Sequence, residues 1–359
     1  MSKMNLKTMK KTTKSNLITY AMVIVIFAVV QILVATGSMS SLMQGLLVPL
    51  CTYSIVAIGL NLCVGYLGEL SLGHAGFMCV GAFSSAFFTR CMENSSMNPT
   101  LRFIIALLIG TAVAAFFGFL IGIPVLRLRG DYLAIVTLAF GEIIKNVINV
   151  LYVGKDENGL HFAINDSKSL NMSGTGEMII DGAKGITGTP RQSTFLIGVI
   201  LILVALFVVF NLVNSRSGRA IMAIRDNRIA AESVGINITK YKLMAFSISA
   251  ALAGVAGVLY AHNLSTLTAL PKNFGYNMSI MILVFVVLGG IGNIRGSIIA
   301  AVLLTMLPEL LRGLNDFRML IYAIVLIATM IITNNEKIMN TIRRFLPKKQ
   351  AQPVKEETK

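Results

Sequence analysis

The sequence predicts an all-α integral membrane protein of about ten transmembrane helices, with the N-terminus and the C-terminus both cytoplasmic. Hydrophobic residues make up 55% of the 359 residues and charged residues only 13%, against about 25% charged in soluble domains. Apolar runs of about 20 residues recur, and each is long enough to cross the hydrocarbon core as a helix. The net charge of +15 lies in loops and termini rather than on one basic, aromatic-rich face, so we predict no nucleic-acid partner.

Charge-free intervals delimit the predicted spans, because an ionised side chain at the bilayer centre costs at least about 2.5 kcal/mol. No residue between Lys14 and Glu69 is charged, which leaves room for two helices. The fifth span contains Glu142 and Lys145, and the ninth is the weakest because it contains Pro308 and two charged residues. The predicted spans are residues 17–35, 46–66, 70–89, 103–126, 132–153, 194–214, 243–262, 276–291, 297–314 and 319–335.

The distribution of Lys and Arg orients these spans, because cytoplasmic loops retain basic residues. Ten spans that start from a cytoplasmic N-terminus place most of the 31 basic residues on the cytoplasmic side, including those of both termini and of the loop at 215–241. Removing the ninth span would put the basic C-terminal tail outside, against this bias. The charge distribution therefore supports ten spans.

Three regions follow from this topology: a basic cytoplasmic N-terminus at residues 1–16, a transmembrane domain at 17–335 and a basic cytoplasmic tail at 336–359. The first apolar run is longer than the core of a secretory signal, so we interpret it as an uncleaved span. The outer loop at 154–193 is longer than an ordinary connection. Its scarcity of apolar residues predicts no core of its own, which leaves a disordered linker or a lid or docking surface for an extracytoplasmic partner.

Glycines crowd the end of the second span and the start of the third, at Gly65, Gly68, Gly73, Gly76 and Gly81. Helices break or approach each other closely at such positions. Irregular backbone at membrane depth needs surrounding protein or a water-filled cavity, so the cluster predicts either close packing or a pore lining. A Gly-x-x-Gly spacing at 65–68 recurs at 289–292, again at the end of an inward-running span, which hints at a tandem repeat.

The sequence offers little for catalysis. It has three histidines, no HExxH and no G-x-S-x-G, and its glycine-rich run at 289–296 lacks the Gly-Lys-Ser/Thr of a phosphate-binding loop. We therefore predict no catalytic residue, no metal site and no cofactor bound by the chain itself. Glu142 with Lys145, and Glu309 with Arg312, are i, i+3 pairs that neutralise each other on a helix. An ion-coupled carrier would need such groups and stays an alternative.

A charged, helix-forming segment at residues 225–235 separates two apolar spans on the cytoplasmic side. Asp226 or Asn227 is suited to cap a short helix there, and Gly235 to end it in a left-handed conformation. A carrier driven by an ion gradient needs no partner at this place, whereas a transporter driven by a separate ATPase must present a rigid element. The small alanine pair allows close approach and the charged side chains offer polar contacts; a solvated basic loop is the alternative. The predicted docking residues are Arg225, Asp226, Asn227, Arg228, Ala230, Ala231, Glu232 and Gly235.

Four blocks of the sequence carry a family resemblance. They are GLNLCVGY at 59–66 with LSLGHAGF at 70–77, RGDYLAIVTL at 129–138 with GEI at 141–143, GITG at 185–188, and AIRDN at 223–227 followed by KLMAF at 242–246 and SAALAGVAG at 249–257. In this order they resemble the LivM-type subunit of the branched-chain amino acid ABC importer permeases, the LivH/LivM permease family. The agreement extends from about residue 58 to residue 301.

The resemblance implies a multi-pass permease of the cytoplasmic (inner) membrane that forms the translocation path for Leu, Ile and Val with a second, homologous permease. Two ABC ATPase subunits would use the ATP, and an extracytoplasmic binding protein would deliver the substrate. Residues 225–235 become the ATPase contact. Permeases of related importers for urea, amides or nucleosides are the nearest alternatives. The residues carried over as pathway or packing elements, together with the glycines above, are Gly65, Gly68, Ser71, Gly73, His74, Asp131, Tyr132, Thr137 and Glu142.

Overall fold

The structure is a computed structural model that describes residues 11–93, 97–128, 130–156, 159–164, 166–170 and 176–311, with residues 317, 320, 321, 323, 324, 326 and 327. The chain divides into two units, Met1–Met306 and Leu307–Lys359. All residues of the site described below lie in the first unit.

The described residues are mostly α-helical. A π-helical turn, Leu62–Leu67, continues α2. The helices are α1 (Lys11–Ala35), α2 (Ser41–Asn61), α3 (His74–Cys91), α4 (Pro99–Val125), α5 (Asp131–Val150), α6 (Phe195–Asn214), α7 (Arg216–Asp226), α8 (Arg228–Ser233), α9 (Ile238–Ala261), α10 (Pro271–Phe274), α11 (Tyr276–Gly289) and α12 (Ile294–Leu310).

Seven helical stretches in the described part of the chain are long and apolar enough to cross a membrane, which supports the predicted membrane protein. They are Asn16–Ala35, Ser41–Leu67, Pro99–Val125, Asp131–Val150, Phe195–Asn214, Ile238–Ala261 and Pro271–Gly289. The remaining predicted spans correspond to α3, whose 18 residues include His74 and Arg90, to α12, which has 17 residues, and to 319–335, which lies mostly outside the described residues. The count of ten and the orientation of the termini stay predictions.

Most predicted span ends differ from the helix ends by a few residues, and two of them lie three or four residues inside non-helical chain. The third span was expected from residue 70, but α3 begins at His74 because residues 68–73 are not helical. The fifth was expected to reach residue 153, but α5 ends at Val150 and Leu151 begins a strand. Apolar character continues across both boundaries, so hydropathy alone does not mark them.

The all-α prediction is wrong at the outer loop, where the chain forms two small antiparallel sheets. Strands β1 (Leu151–Asp156), β2 (Gly159–Ile164) and β3 (Glu177–Asp181) form a three-stranded sheet in the order β2-β1-β3. Strands β4 (Ile186–Thr187) and β5 (Thr266–Leu267) pair with each other and tie the loop to the segment after α9. Short 3₁₀ turns lie at Ser167–Leu170 and Gly182–Lys184.

Apolar residues of the outer loop and of β1, which leads into it, are buried, and the absence of a core confined to the loop stays a prediction. Val153, Ala163, Leu170, Ile179 and Ile180 are buried. Val153 lies opposite Ile180 and Ala163 lies opposite Tyr152. Because successive strand residues point to opposite faces, Val153 and Ala163 are buried on opposite faces of the sheet.

One charged pair joins the end of β3 to the 3₁₀ turn that follows it. Lys184 donates a hydrogen bond to Asp181 (2.8 Å), and this bond raises the pKa of the Lys184 ammonium.

Helix α9 is the centre of the bundle and packs against α2, α3 and α4. The contacts are made by small residues. A Cβ at Gly81 of α3 would lie 2.5 Å from Gly254 Cα of α9, and a Cβ at Gly257 would collide with the backbone at Met78. Small residues at membrane helix interfaces let backbones approach and gain van der Waals contact. The glycines of α3 and α9 therefore fix how closely these helices pack.

Candidate functional site

The non-helical residues 68–73, which we call the break, connect the π-helical turn to α3. Gly68 ends the turn with φ +79°, a left-handed conformation that glycine adopts without a steric penalty. Ser71 and Gly73 are buried. The glycine cluster therefore marks both a helix break and, at Gly81, a close helix contact.

Neighbouring helices provide hydrogen-bond partners for the backbone of the break. The Leu72 N–H donates to Thr137 Oγ1 of α5 (3.0 Å), and the Ala75 N–H, in the first turn of α3, donates to Ser279 Oγ of α11 (3.3 Å). Such groups are costly in a bilayer unless protein or water satisfies them. Helices α5 and α11 thus hold the break in place.

His74 connects three helices. Its Nδ1 lies 3.3 Å from Ser71 Oγ and its Nε2 lies 2.6 Å from Ser249 Oγ of α9. The Ser249 hydroxyl donates to the Gly59 carbonyl of α2, so it must accept from His74, which assigns the ring proton to Nε2. This chain of hydrogen bonds joins the start of α3 to α9 and α2.

Glycines bring the break against α5. A Cβ at Gly73 would lie 2.5 Å from the Thr137 carbonyl oxygen, and a Cβ at Gly76 would lie 2.6 Å from Gly141 Cα. Backbone cannot yield at such distances, so each of these positions requires glycine.

Five of the nine residues predicted as pathway or packing elements are buried, and the choice between the two roles stays a prediction. Those that are buried are Gly65, Ser71, Gly73, His74 and Thr137. Asp131 and Tyr132 instead lie exposed at the start of α5, where Tyr132 is 72% exposed. Arg129, which precedes them in the quoted motif, lies outside the described residues.

Glu142 forms the predicted ion pair with Lys145 on α5. Its other oxygen accepts the Tyr276 N–H at the start of α11 (2.7 Å). The carboxylate is therefore neutralised and hydrogen bonded to backbone, as a structural pair would be. The second predicted pair includes Arg312, which lies outside the described residues.

Asn61 was not among the predicted site residues, yet both ends of its buried amide are hydrogen bonded. The Gly292 N–H donates to Asn61 Oδ1 (2.9 Å), and Asn61 Nδ2 donates to Ser297 Oγ (2.7 Å). A Cβ at Gly65 would lie 2.5 Å from Gly292 N. The two Gly-x-x-Gly segments are thus in contact, and the tandem repeat itself stays a prediction.

The segment 225–235 contains the short helix that was predicted. Asn227, rather than Asp226, is its N-cap, and Asn227 Oδ1 accepts the Ala230 N–H (3.1 Å). Gly235 follows the helix with φ +82°. The Ile236 N–H donates back to the Ala231 carbonyl (3.1 Å), which closes the helix end.

Of the alanine pair that was expected to allow close approach, Ala231 faces the interior. Its side chain is buried in a small cluster with Ile224 of α7 and Ile238 of α9. One face of so short a helix must pack against its neighbours, because isolated helices of this length are unstable. The exposed face carries Ile229 and Val234, which are 81% and 75% exposed.

Arg225 reaches from α7 into the bundle. Its guanidinium donates to the Gly65 carbonyl (2.8 Å) and pairs with Asp226 (2.8 Å). Its aliphatic stem lies against Gly68, where a Cβ would be 2.5 Å from Arg225 Cγ. The predicted docking segment and the predicted pathway glycines are therefore in direct contact.

A second connection was not predicted. Lys242, which lies between the predicted loop 215–241 and the predicted span 243–262, is buried on α9 and forms an ion pair with Glu69 of the break. A buried ion needs a partner of opposite charge. Lys242 and Glu69 provide these opposite charges to each other.

Comparison with known proteins identifies the family. Residues 42–333 match the family described as branched-chain amino acid transport system / permease component. The chain is 37% identical over 290 residues to the high-affinity branched-chain amino acid transport system permease protein LivM of Salmonella typhimurium (strain LT2) and 36% identical to LivM of Escherichia coli (strain K12). Each alignment covers 78% of this chain and 66% of the relative. The chain belongs to this permease family.

More distant relatives include the second type of permease in the family. The protein LivH of Salmonella typhimurium is 22% identical over 258 residues, which cover 70% of this chain and 79% of LivH. The alignments with the two LivM proteins span just under two thirds of those proteins' own length. No solved structure matches the chain.

Sequence reasoning about this permease missed Asn61, Glu69, Lys242 and Ser249. Each is a polar side chain inside or beside an apolar helix. That is a usable signal, because such residues in a membrane span face the protein interior and pair with other groups. Their partners lie far away in the sequence, however, and no spacing rule identifies them.

Proposed function

We propose that this chain is the membrane-spanning permease subunit of an ATP-driven importer, and that it forms the translocation path for branched-chain amino acids. The observation that carries the proposal is the family match over residues 42–333, together with 37% identity to a LivM protein. In this assignment the chain itself hydrolyses no ATP. Separate ATPase subunits use the ATP on the cytoplasmic side.

The proposed assembly has two permeases, two ATPases and an extracytoplasmic binding protein in the inner membrane. The similarity to both LivM and LivH supports pairing with a second, related permease. We place ten spans in the bilayer with both termini cytoplasmic, as the Lys and Arg distribution favours. The outer sheet would then face the binding protein.

In this proposal α8 is the contact to an ATPase. Ile229 and Val234 stand out from a helix that is anchored on its other side through Ala231. Large apolar side chains that project into water are typical of protein interaction sites. Arg228 and Glu232 would add polar contacts at the rim, where charges affect specificity more than affinity.

The path itself would run where this permease meets its partner. Asp131 and Tyr132 are exposed at the start of α5 and are the predicted pathway residues that a neighbouring subunit or substrate could reach. Alternating access then requires a change between two arrangements of the bundle that ATP hydrolysis biases. The buried hydrogen bonds of Ser71, His74 and Thr137 would support the wall of the path.

Co-purification tests the partner assignment. The permease is isolated in mild detergent from native membranes as wild type, as Ile229→Asp/Val234→Asp and as Thr239→Asp, an exposed control at the start of α9. We expect the wild type and the control to retain an ATPase and the double variant to lose it. A lone polypeptide that takes up substrate after ATP depletion, while the proton gradient is maintained, would support the ion-coupled carrier instead.

Competition for uptake tests the substrate. Membrane vesicles that contain the complex and its binding protein take up labelled leucine, and unlabelled isoleucine, valine, urea, an aliphatic amide or a nucleoside is added in excess. We expect inhibition by isoleucine and valine alone. Inhibition by urea, the amide or the nucleoside, with none by isoleucine, would assign the permease to one of the related importers.

A further inference from the structure

The docking helix α8 lies in the chain between two residues that both hold the break. Arg225 precedes it, donates to the Gly65 carbonyl and packs on Gly68. Lys242 follows it and pairs with Glu69. The two attachments are thus four residues apart on the π-helical turn and break, and they come from the two elements that flank α8.

We propose that Arg225 and the buried Lys242–Glu69 pair are positioning residues that convert movement of α8 into movement of the break. This inference rests on the proposed function, in which an ATPase moves α8. It adds which contacts inside the permease carry that movement. The pair is not needed for α8 to bind a partner, because Lys242 and Glu69 are both largely buried, with side-chain exposures of 6% and 15%.

Packing makes the elements around α8 one mechanical unit. Ile224 of α7, Ala231 of α8 and Ile238 of α9 bury one another. A displacement of α8 therefore displaces the start of α9 and the end of α7 together. Arg225 and Lys242 extend from this unit, so both would be displaced with it.

The far side of the break is held by α5 and by a deeper part of α9. Leu72 is bonded to Thr137 of α5, and His74 is bonded to Ser249 deeper in α9. Residues 68–73 have no helical hydrogen-bond ladder of their own and include Gly68 at a positive φ. The break is thus a deformable segment of chain that neighbouring residues hold at both ends. Hinge-like changes concentrate in such segments.

A purely structural ion pair is the competing explanation. Buried pairs often contribute nothing net to stability, although loss of one partner is strongly destabilising. The test therefore removes both charges at once and measures a quantity that stability does not set. That quantity is the coupling ratio, the number of amino acids taken up per ATP hydrolysed by the reconstituted complex with its binding protein.

The key variant is Glu69→Gln/Lys242→Met, which keeps the side-chain volumes and leaves no unpaired ion. We expect it to assemble with the ATPases and to hydrolyse ATP, with a coupling ratio reduced roughly 5- to 30-fold. Lys242→Arg, which can keep the pair, should restore most of the ratio. The matched control is Lys240→Met, which removes an exposed charge two residues before Lys242 on α9 and should leave the ratio unchanged.

A second variant covers the case in which the double variant does not assemble. Gly68→Ala keeps every charge, but its φ of +79° and the contact with Arg225 force the break and the arginine apart. It should lower the coupling ratio in the same direction. A coupling ratio equal to that of the wild type in either assembled variant overturns the inference, whereas a wild-type complex without ATP-dependent uptake overturns the proposed function instead.

Discussion

Helices α2 and α4 show how differently two apolar spans can be used. The stretches Ser41–Leu67 and Pro99–Val125 both have 27 residues. In an apolar 18-residue segment of the first, the mean hydropathy is 2.0 and 83% of the residues are buried, whereas in such a segment of the second the mean hydropathy is 2.7 and 28% of the residues are buried. The more hydrophobic helix is therefore the more exposed one, the reverse of a soluble protein.

Lipid explains the inversion. Hydrocarbon solvates leucine and phenylalanine as well as a protein interior does, so apolar side chains gain little from burial there. The interior instead collects small residues, which allow close packing, and polar residues, which need partners. Thr52, Ser54 and Asn61 are buried on α2, while Leu108, Phe116 and Leu120 are exposed on α4.

The largest effect should come from enlarging a glycine at a buried contact. Gly81→Leu places a side chain where α3 meets the backbone of Gly254. Overpacking costs typically 1–3 kcal/mol and more when nothing can yield, so we expect a loss of about 3 kcal/mol or more, or failure to fold. Thermal unfolding of the detergent-solubilised permease measures it.

The control for that variant is Ala112→Leu on the exposed face of α4, which adds a side chain that lipid or detergent accommodates. It should shift the unfolding midpoint little. Equal destabilisation by the two changes would contradict the assignment of α4 to the lipid boundary.

The second prediction separates two kinds of exposed residue. Leu108 on α4 is 64% exposed and Ile229 on α8 is 81% exposed, but we expect the first to face lipid and the second to face water. On the insertion scale, Leu108→Lys should cost about 3 kcal/mol. Ile229→Lys should stay within about 0.5 kcal/mol, as for ordinary surface changes.

Stability of the isolated permease in lipid nanodiscs is the measurement for this pair. If Leu108→Lys were as mild as Ile229→Lys, the exposed face of α4 would have to lie against water or a polar partner.

The third prediction compares two hydroxyl groups. Ser249 bridges α9 to His74 and to the Gly59 carbonyl, whereas Thr111 of α4 donates only to Leu107 of its own helix (2.7 Å). Ser249→Ala leaves buried groups without a partner and should cost about 1–3 kcal/mol. Thr111→Val should cost less than about 0.5 kcal/mol, because the helix keeps its own hydrogen bonds.

Unfolding of the two variants under the same denaturant checks the difference. Equal costs would mean that the contacts made by Ser249 contribute no more than a hydrogen bond within one helix.

Local features and lipid-facing helices could be predicted from the sequence, whereas buried polar contacts between distant residues could not. Short-range features could be predicted. Asn227 caps α8 through a residue three positions away, and Gly235 ends the helix through its own backbone conformation. The lipid-facing helices could be predicted because their apolar runs are long. The contact of Asn61 with Ser297 joins residues 236 positions apart, and neither hydropathy nor periodicity reports such a pair.

The outer strands were missed for a different reason. They are short, and Val153 continues the apolar run of α5 without a break in composition. Only pairing with β2 and β3 makes that stretch a strand. Tertiary context therefore decided the local structure there.

The smallest predicted effects concern two glycines on α2, for which we expect changes in stability of opposite sign. Gly45 lies near the exposed start of the helix with no atom close to where a Cβ would be, whereas a Cβ at Gly59 would lie 3.1 Å from both Leu252 Cβ and the Ser249 carbonyl oxygen. Gly45→Ala should stabilise by about 0.4–1 kcal/mol, because alanine restricts the unfolded chain and favours helix. Gly59→Ala gains the same propensity but must push α9 away, so we expect a net loss of about 1 kcal/mol. Unfolding midpoints that moved in the same direction for both would mean that propensity, rather than packing on α9, decides the stability of the buried half of α2.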